Sequence, residues 1–282
     1  MPVLVARRVD EALAAMGAEP RAEPLAGGTD LMVDINFGRK RQGYIVAVDR
    51  LEELRELSKG PRVRVGAGVT YTRILNEGAG SVALREASRT VGSPQIRNAG
   101  TLGGNVATAS PAGDTLPVLA ALDATILLRS ARGERRVPFA EFMTGPKRSV
   151  RRTDELVIAA EWDDAGPAQT FIKVGTRNAM VIAVASLALV VDRARRRVGV
   201  ALGSCGPTIL RATEAERFAG GLFEERGWEK HLEPSAAQCF EFGRLVSSAA
   251  RPIDDVRGTA AYRGHVLAVI AGRALDRVGA VA

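Results

Sequence analysis

Two short glycine-bearing segments contain residue types that could bind phosphate through the main chain. The first runs from Leu25 to Leu31 and reads LAGGTDL, and the second runs from Thr101 to Asn105 and reads TLGGN. Glycine adopts positive φ without strain and lets a ligand approach the backbone amides. Successive N–H groups in such turns form a concave anion site. Two such turns could share one pyrophosphate, so the pattern predicts a dinucleotide site.

Each segment also has an alternative interpretation, because a pair of glycines often serves only to make a turn. No Gly-Lys-Ser or Gly-Lys-Thr follows either segment, which excludes a P-loop, and no GxGxxG follows the first predicted strand, which disfavours a Rossmann site for NAD. The chain has no lysine between residues 60 and 146. We therefore expect main-chain amides, helped by Thr and Asn side chains, to neutralise a diphosphate without a lysine.

No other group of residues predicts chemistry on this chain. The two cysteines, Cys205 and Cys239, are far apart, so we expect no disulfide, no metal site and no iron–sulfur cluster. His231 and His265 fall in a predicted helical region and are interpreted as surface or interface residues. We expect no catalytic residue, and Cys205 could be either a packed small residue or a thiol near the ligand.

Composition excludes several classes of protein. Of the 282 residues 46% are hydrophobic and 25% charged, as in ordinary globular proteins. The net charge of +7 comes from basic residues spread along the chain without an aromatic series, which disfavours nucleic-acid binding. The basic residues form either a solvated surface or a docking surface for an acidic subunit. We see no apolar run of 18 residues and no signal-peptide pattern, so we expect a cytoplasmic protein without a membrane span.

The apolar spacing predicts strands alternating with helices in the first quarter of the chain. One helix is expected at residues 9–16 and another is expected to begin near Thr70. The run AMVIAVASLALVV, residues 179–191, is expected to be buried strand. With the following VGVALG it predicts two strands joined by a basic hairpin at Arg193 to Arg197. Three helical patterns complete the chain.

Five motifs occur in order along the chain: AGGTDL, QIRNAGTLGGN, SPAGDTLPVLAALDA, FIKVGTRNAM and RGTAAYRGHVLAVIAGRAL. With them the chain resembles the FAD-binding medium subunit of the molybdenum hydroxylases, a family that includes bacterial carbon monoxide dehydrogenases, xanthine dehydrogenases, aldehyde oxidoreductases and 4-hydroxybenzoyl-CoA reductases. The resemblance implies an α+β fold. A two-lobed FAD-binding domain of the vanillyl-alcohol-oxidase (PCMH) type would have α/β lobes at residues 1–58 and 59–175. A C-terminal domain of three-stranded antiparallel sheet plus helices would follow at 176–282.

The resemblance also implies which residues bind FAD. The pyrophosphate and ribityl chain would be lined by the two glycine segments, that is by Leu25, Ala26, Gly27, Gly28, Thr29, Asp30, Leu31, Thr101, Gly103, Gly104 and Asn105. Asp114 would hydrogen-bond a sugar hydroxyl or the ribityl chain, and its alternative role is to cap a helix. Lys173 would lie near the flavin ring, where a cation stabilises negative charge on reduced flavin, although a lysine at a strand end is ordinarily solvated. Val157 would pack near the ring.

The implied function is electron transfer, because FAD carries the redox chemistry. FAD would accept electrons from iron–sulfur clusters of a small subunit, which receives them from the molybdenum cofactor of a large subunit. It would pass them to an external acceptor, which could be NAD, a quinone or oxygen. The chain would thus be a flavoprotein subunit of a multi-subunit oxidoreductase, assembled as a dimer of heterotrimers. Asn178 and Val181 depart from the arginine and acid common in the family, so the surroundings of the ring could differ here.

Two alternatives stay open at the level of the sequence. The chain could be a stand-alone FAD-dependent oxidoreductase with its own substrate pocket, or a non-enzymatic nucleotide-binding module. The substrate of the whole complex is not encoded here, because another polypeptide would select it.

Overall fold

The computed structural model describes residues 2–41 and 43–281. The N-terminal lobe is a parallel sheet of order β1-β3-β2 covered by helix α1. The predicted helix forms because Val9, Ala12, Leu13 and Met16 share one buried face. The elements are β1 (Val3–Val5), α1 (Val9–Ala18), β2 (Glu23–Leu25), α2 (Leu31–Asn36) and β3 (Ile45–Ala47), followed by a 3₁₀ turn (Glu52–Arg55).

The second lobe is built on an antiparallel sheet of order β4-β5-β10-β6-β7, with a short hairpin of β8 and β9 beside it. Its first elements are β4 (Leu57–Ser58), β5 (Arg62–Gly66), α3 (Tyr71–Glu77), α4 (Val82–Thr90), α5 (Pro94–Ala99), α6 (Leu102–Thr108) and α7 (Leu116–Ala121). The remaining ones are β6 (Thr125–Ser130), β7 (Gly133–Pro138), α8 (Phe139–Phe142), β8 (Met143–Gly145), β9 (Arg148–Ser149) and β10 (Leu156–Asp163).

The second glycine segment is attached to the end of β5. Thr70 and Thr101 form an isolated antiparallel bridge, and their hydroxyls cap α3 and α6 respectively. The Gly103 amide donates to the Ala67 carbonyl at 2.9 Å. A Cβ on Gly103 would lie 2.3 Å from the Ala67 Cβ, so only glycine allows this contact. The start of α6 is therefore fixed against the sheet.

The C-terminal domain is a four-stranded antiparallel sheet of order β11-β12-β13-β14 with three helices. The resemblance implies three strands. The structure adds Gln169–Val174, which pairs with Ala185–Asp192 in antiparallel register. The elements are β11 (Gln169–Val174), β12 (Ala185–Asp192), β13 (Arg197–Gly203), β14 (Leu210–Arg211), α9 (Thr213–Arg226), α10 (Ala236–Ala249) and α11 (Ala260–Gly279). The predicted hairpin and the three predicted helices are confirmed. The expectation of buried strand over residues 179–191 is wrong for residues 179–184, which lie outside any strand, and Met180 and Ile182 there are exposed.

Strand β12 is buried on both faces, which explains its continuous apolar run. Ala188 and Val190 belong to the core of the two N-terminal lobes, whereas Leu187, Leu189 and Val191 belong to the core beneath the C-terminal helices. The alternation follows from the two-residue period of a strand. The two faces of this sheet thus pack against two separate hydrophobic cores.

No helix within residues 2–41 and 43–281 is both long enough and apolar enough to cross a membrane.

Candidate cofactor site

The two glycine segments meet at one cavity of about 660 Å³, a volume typical of sites for organic ligands. Twelve of the residues expected at the site line it: Leu25, Ala26, Gly27, Gly28, Thr29, Asp30, Leu31, Thr101, Gly104, Asn105, Asp114 and Lys173. The segments are in direct contact, since a Cβ on Gly27 would lie 1.7 Å from the Ala99 carbonyl oxygen. Elements distant in sequence therefore form a single site.

The first glycine segment provides the unused main-chain donors. Gly28 has φ of +68°, which turns the chain between β2 and α2. Within the part of the chain that the structure describes, the amides of residues 27–31 have no protein acceptor. Successive amides without acceptors in a glycine turn fit the oxygen atoms of a diphosphate.

The second glycine segment does not provide such donors, which corrects the expectation of two equivalent amide clusters. Its amides already have acceptors: Leu102 donates to the Val69 carbonyl, Gly103 to the Ala67 carbonyl, and Gly104 to the Thr101 hydroxyl at 3.0 Å. The first two bonds join the segment to the loop after β5, and the third forms because Thr101 is the N-cap of α6. A local glycine pattern does not distinguish a free amide from a capped one.

The second segment contributes open space instead. Gly104 is exposed to the cavity, and a Cβ there would meet only the Thr101 hydroxyl, at 3.2 Å. Asn105 beside it accepts a hydrogen bond from the Thr115 hydroxyl at 2.6 Å. A larger side chain at residue 104 would therefore occupy volume that a ligand requires.

Asp114 is a buried carboxylate with one unused oxygen. Its Oδ2 accepts from Lys173 Nζ at 2.6 Å and from the Thr90 hydroxyl at 3.2 Å, whereas Oδ1 has no hydrogen-bond partner among the described residues. Asp114 makes no helix cap, so the capping alternative is not what the structure shows. Burial raises the pKa of Asp114 to about 6, and Lys173 and Thr90 oppose that rise. The free oxygen fits a hydroxyl donor of a ligand.

Lys173 is buried in this ion pair, contrary to the default of a solvated lysine. Its Nζ donates both to Asp114 and to the Thr90 carbonyl at 3.1 Å. Tyr71 lies nearby in the cavity wall, and its pKa is raised by burial and by the charges of Asp114 and Asp30. Tyr71 was not predicted from the sequence, because it lies outside the glycine segments.

Three further cations line the cavity besides the expected Lys173, so main-chain amides are not its only positive groups. Lys40, Lys147 and Arg151 all contribute to its wall. Lys40 pairs with Glu23 at 2.6 Å, and Lys147 with Asp34 at 3.3 Å. They come from outside residues 60–146, so the absence of lysine from that range did not bear on the folded site.

Gly103 and Val157 do not line the cavity. Gly103 is buried against Ala67, and Val157 is a buried residue of β10 that pairs with Leu128 beside a β-bulge. Cys205 is fully buried outside the cavity lining, and burial raises its pKa to about 11, so it is a packed small residue. Within residues 2–41 and 43–281, no cluster of potential metal ligands occurs.

The donors of the cavity fit a flavin dinucleotide. Free amides and cations suit the diphosphate, the unused Asp114 oxygen suits a hydroxyl, and the exposed Gly104 leaves room beside them. The cavity is also lined by the apolar residues Val91, Ile96 and Ile182, which could contact a ring system.

Known protein families and relatives match almost the whole chain. Residues 1–161 match the family described as the FAD binding domain in molybdopterin dehydrogenase, and residues 170–278 match the CO dehydrogenase flavoprotein C-terminal domain. The chain is 31% identical over 280 residues to the glyceraldehyde dehydrogenase medium chain of Sulfolobus acidocaldarius, covering 97% of this chain and 96% of that one. It is 36% identical over 169 residues to the nicotinate dehydrogenase FAD-subunit of Eubacterium barkeri, covering 57% of each.

Solved structures share the fold. The reconstituted CO dehydrogenase from Oligotropha carboxidovorans gives a TM-score of 0.88 at 23% identity, covering 100% of this chain and 98% of that chain. Quinoline 2-oxidoreductase from Pseudomonas putida 86 gives 0.87 at 21% identity, covering 99% and 96%. The matching family covers more than half of the chain, and a relative more than 30% identical aligns with nearly all of it, so this chain belongs to the FAD-binding medium subunits of the molybdenum hydroxylase family.

Proposed function

We propose that this chain carries FAD as the electron-transfer subunit of a heteromeric molybdenum hydroxylase. The observation that carries the proposal is the cavity itself. Its wall combines the free amides of residues 27–31 with the unused oxygen of Asp114, in a chain of an FAD-binding family. The dehydrogenase relatives support an enzyme subunit rather than a nucleotide-binding module.

Bound FAD supplies the redox chemistry, and the protein binds and orients it. The first glycine segment would donate to the phosphate oxygens. Asp114 Oδ1 would accept a hydrogen bond from a sugar or ribityl hydroxyl, and Lys173 holds that carboxylate in position by a buried ion pair. Lys173 thus acts through Asp114, and we propose that it also places positive charge on the flavin side of the cavity.

Electrons would enter from a partner and leave to an external acceptor. Relatives are named as medium chains or FAD-subunits of carbon monoxide, glyceraldehyde and nicotinate dehydrogenases, names that imply further chains. We propose a small subunit with iron–sulfur clusters, a large subunit with the molybdenum cofactor, and NAD, a quinone or oxygen as acceptor.

The cavity assignment is tested by Gly104→Val. We expect purified Gly104→Val to contain less than about a tenth of the wild-type flavin, because the valine methyl groups fill space beside the Thr101 cap. Gly221→Val is the matched control, since Gly221 is an exposed glycine of α9 with nothing within 4 Å of a Cβ. Flavin content is measured by absorbance after protein precipitation. If both variants fold and Gly104→Val contains as much flavin as wild type, the assignment of FAD to this cavity is wrong.

Purification of the native complex tests the assembly. We expect flavin absorption to co-elute with iron and molybdenum, measured by elemental analysis of the fraction that contains this chain. Flavin without either metal, together with substrate turnover by the chain alone, would support a stand-alone oxidoreductase. A folded chain without flavin bands would support a nucleotide-binding module instead.

A further inference from the structure

Every lysine and arginine of the cavity wall except one forms an ion pair among the described residues. Lys40 pairs with Glu23, Lys147 with Asp34 and Lys173 with Asp114. Arg151 lines the same cavity, yet no carboxylate of residues 2–41 and 43–281 lies within 4.0 Å of its guanidinium. It is the lining cation that lacks a counter-ion in the described chain.

Arg151 is held rigidly by its own turn. Its Nη1 donates to the carbonyls of Arg152 at 3.0 Å and Glu155 at 2.6 Å. The Glu155 carboxylate is itself fixed, because it accepts from the Arg152 amide at 2.7 Å and from two nitrogens of Arg135 at 2.7 and 2.9 Å. These bonds leave Nε and Nη2 of Arg151 without an acceptor among the described residues. The guanidinium is thus preorganised with free donors.

The surroundings of Arg151 make its charge costly. Burial lowers the pKa of the guanidinium, and the more distant carboxylates of Glu23, Glu155 and Asp154 only partly offset this effect. Arg151 is half-buried and has no ion-pair partner among the described residues, so the protein compensates its charge only in part. Glu23 belongs to β2, the strand that leads into the first glycine segment, and both Arg151 and the residues of that segment line the same cavity. A bound diphosphate would supply the missing anion.

We propose that Arg151 binds the diphosphate of the dinucleotide as its counter-cation, complementing the free amides of residues 27–31. Two of its nitrogens can reach phosphate oxygens in the parallel fashion that a guanidinium favours. This inference rests on the FAD site of the proposed function. It adds the element that the glycine segment lacks, a positive charge.

The test is the affinity of the flavin-free chain for FAD and for ADP, measured by isothermal titration calorimetry. We expect Arg151→Gln to weaken both by about 10- to 100-fold, the range for a lost charged hydrogen bond. Arg151→Lys should retain more affinity than Arg151→Gln. Arg148→Gln is the matched control: Arg148 is exposed in β9, outside the cavity lining, and the change removes the same charge. Its affinities should equal those of the wild type.

Salt dependence separates phosphate binding from a purely structural role. Between about 0.01 M and about 1 M NaCl the wild-type FAD affinity should fall more steeply than that of Arg151→Gln. The reason is that salt screens the contact between Arg151 and phosphate, which the variant lacks. If Arg151→Gln does not fold, the same comparison is made with Arg151→Met, which also removes the charge. Unchanged affinities, or an affinity loss with an unchanged salt slope, would overturn the inference. A wild-type chain that binds no FAD would instead overturn the proposed function.

Discussion

Asp114 is the residue on which the charge balance of the cavity depends. It is buried, it pairs with Lys173, and one of its oxygens lacks a partner in the described chain. An acid in that position gains a proton more readily than in water, because desolvation penalises the carboxylate form. The same unused oxygen that fits a ligand hydroxyl therefore makes the free energy of the flavin-free folded state less favourable. Binding sites commonly keep such groups for a ligand to satisfy.

The pH dependence of stability should reveal this cost. The pKa of Asp114 in the folded chain is about 6, above the ordinary value of 3.8, so between these values the folded state binds more protons than the unfolded state. The contribution of Asp114 to the free energy of unfolding is therefore most favourable below about pH 4 and falls as the pH rises to about 6. We expect the stability of wild type relative to Asp114→Asn to fall over that range by on the order of 1–3 kcal/mol.

Urea denaturation of the flavin-free chain at several pH values measures this effect. Asp49→Asn is the control, because Asp49 is exposed and its side chain makes no hydrogen bond in the described structure. Parallel stability curves for wild type and Asp114→Asn across the range would contradict the raised pKa.

At the scale of elements, the basic hairpin between β12 and β13 is used mainly inside the protein. The Arg193 guanidinium donates to the carbonyls of Trp228, Lys230 and Val281 and lies over the Phe223 ring, with its Cζ 5.3 Å from the ring centroid. Arg195 pairs with Asp192 at 3.1 Å, and Arg197 pairs with Asp123 at 2.5 Å. The hairpin therefore fastens the C-terminal ends of α9 and α11 to the sheet. The sequence suggests that its basic residues form either a solvated surface or a docking surface, and these two alternatives describe only part of their role.

Arg193→Ala should consequently destabilise the chain. We expect the free energy of unfolding to fall by about 1–3 kcal/mol, because the three carbonyls lose a charged donor. Arg196→Ala, in the same hairpin, should change the free energy of unfolding by no more than about 0.5 kcal/mol. The Arg196 side chain is 68% exposed, and its one ion pair, with Glu224 at 3.6 Å, lies at the surface. Urea denaturation of both variants measures the difference. Equal effects would mean that the carbonyl contacts of Arg193 contribute nothing.

Element-scale patterns also show what the sequence could and could not predict. The helix at residues 9–16 and the strands around Arg193 were predictable because one-face burial and strand alternation are local periodicities. The sheet partner of Gln169–Val174 was not predictable, since a strand's own pattern does not name its neighbour. The close contact of Gly27 with Ala99 and the position of Arg151 in the cavity wall depend on tertiary structure. Hence the location of the site could be predicted, while the distribution of its donors and charges could not.

At the scale of the whole molecule, the lobes and the C-terminal domain share the sheet of β11 to β14. Alternate residues of β12 enter two different cores. A second link is Glu86 of α4, which accepts from the Phe171 amide at 2.8 Å and the Thr170 hydroxyl at 3.0 Å in β11 and pairs with Arg277 of α11. Unfolding one core would expose a face of the sheet that the other requires. The cavity, whose wall includes Lys173 of β11, would be lost with either.

The two cores should therefore unfold in one cooperative step, and the two tryptophans of the chain can report it separately. Trp162 lies in the core of the lobes, and Trp228 lies in the C-terminal core, stacked on Phe223 with centroids 5.4 Å apart. Trp228→Phe leaves Trp162 as the reporter, and Trp162→Phe leaves Trp228. In each variant we expect the fluorescence transition in urea to coincide with the loss of helical circular dichroism, because neither core is complete without the shared sheet. A fluorescence midpoint that precedes the circular dichroism midpoint in one variant would show that its core unfolds independently, and the sheet would then not couple the cofactor cavity to the C-terminal helices.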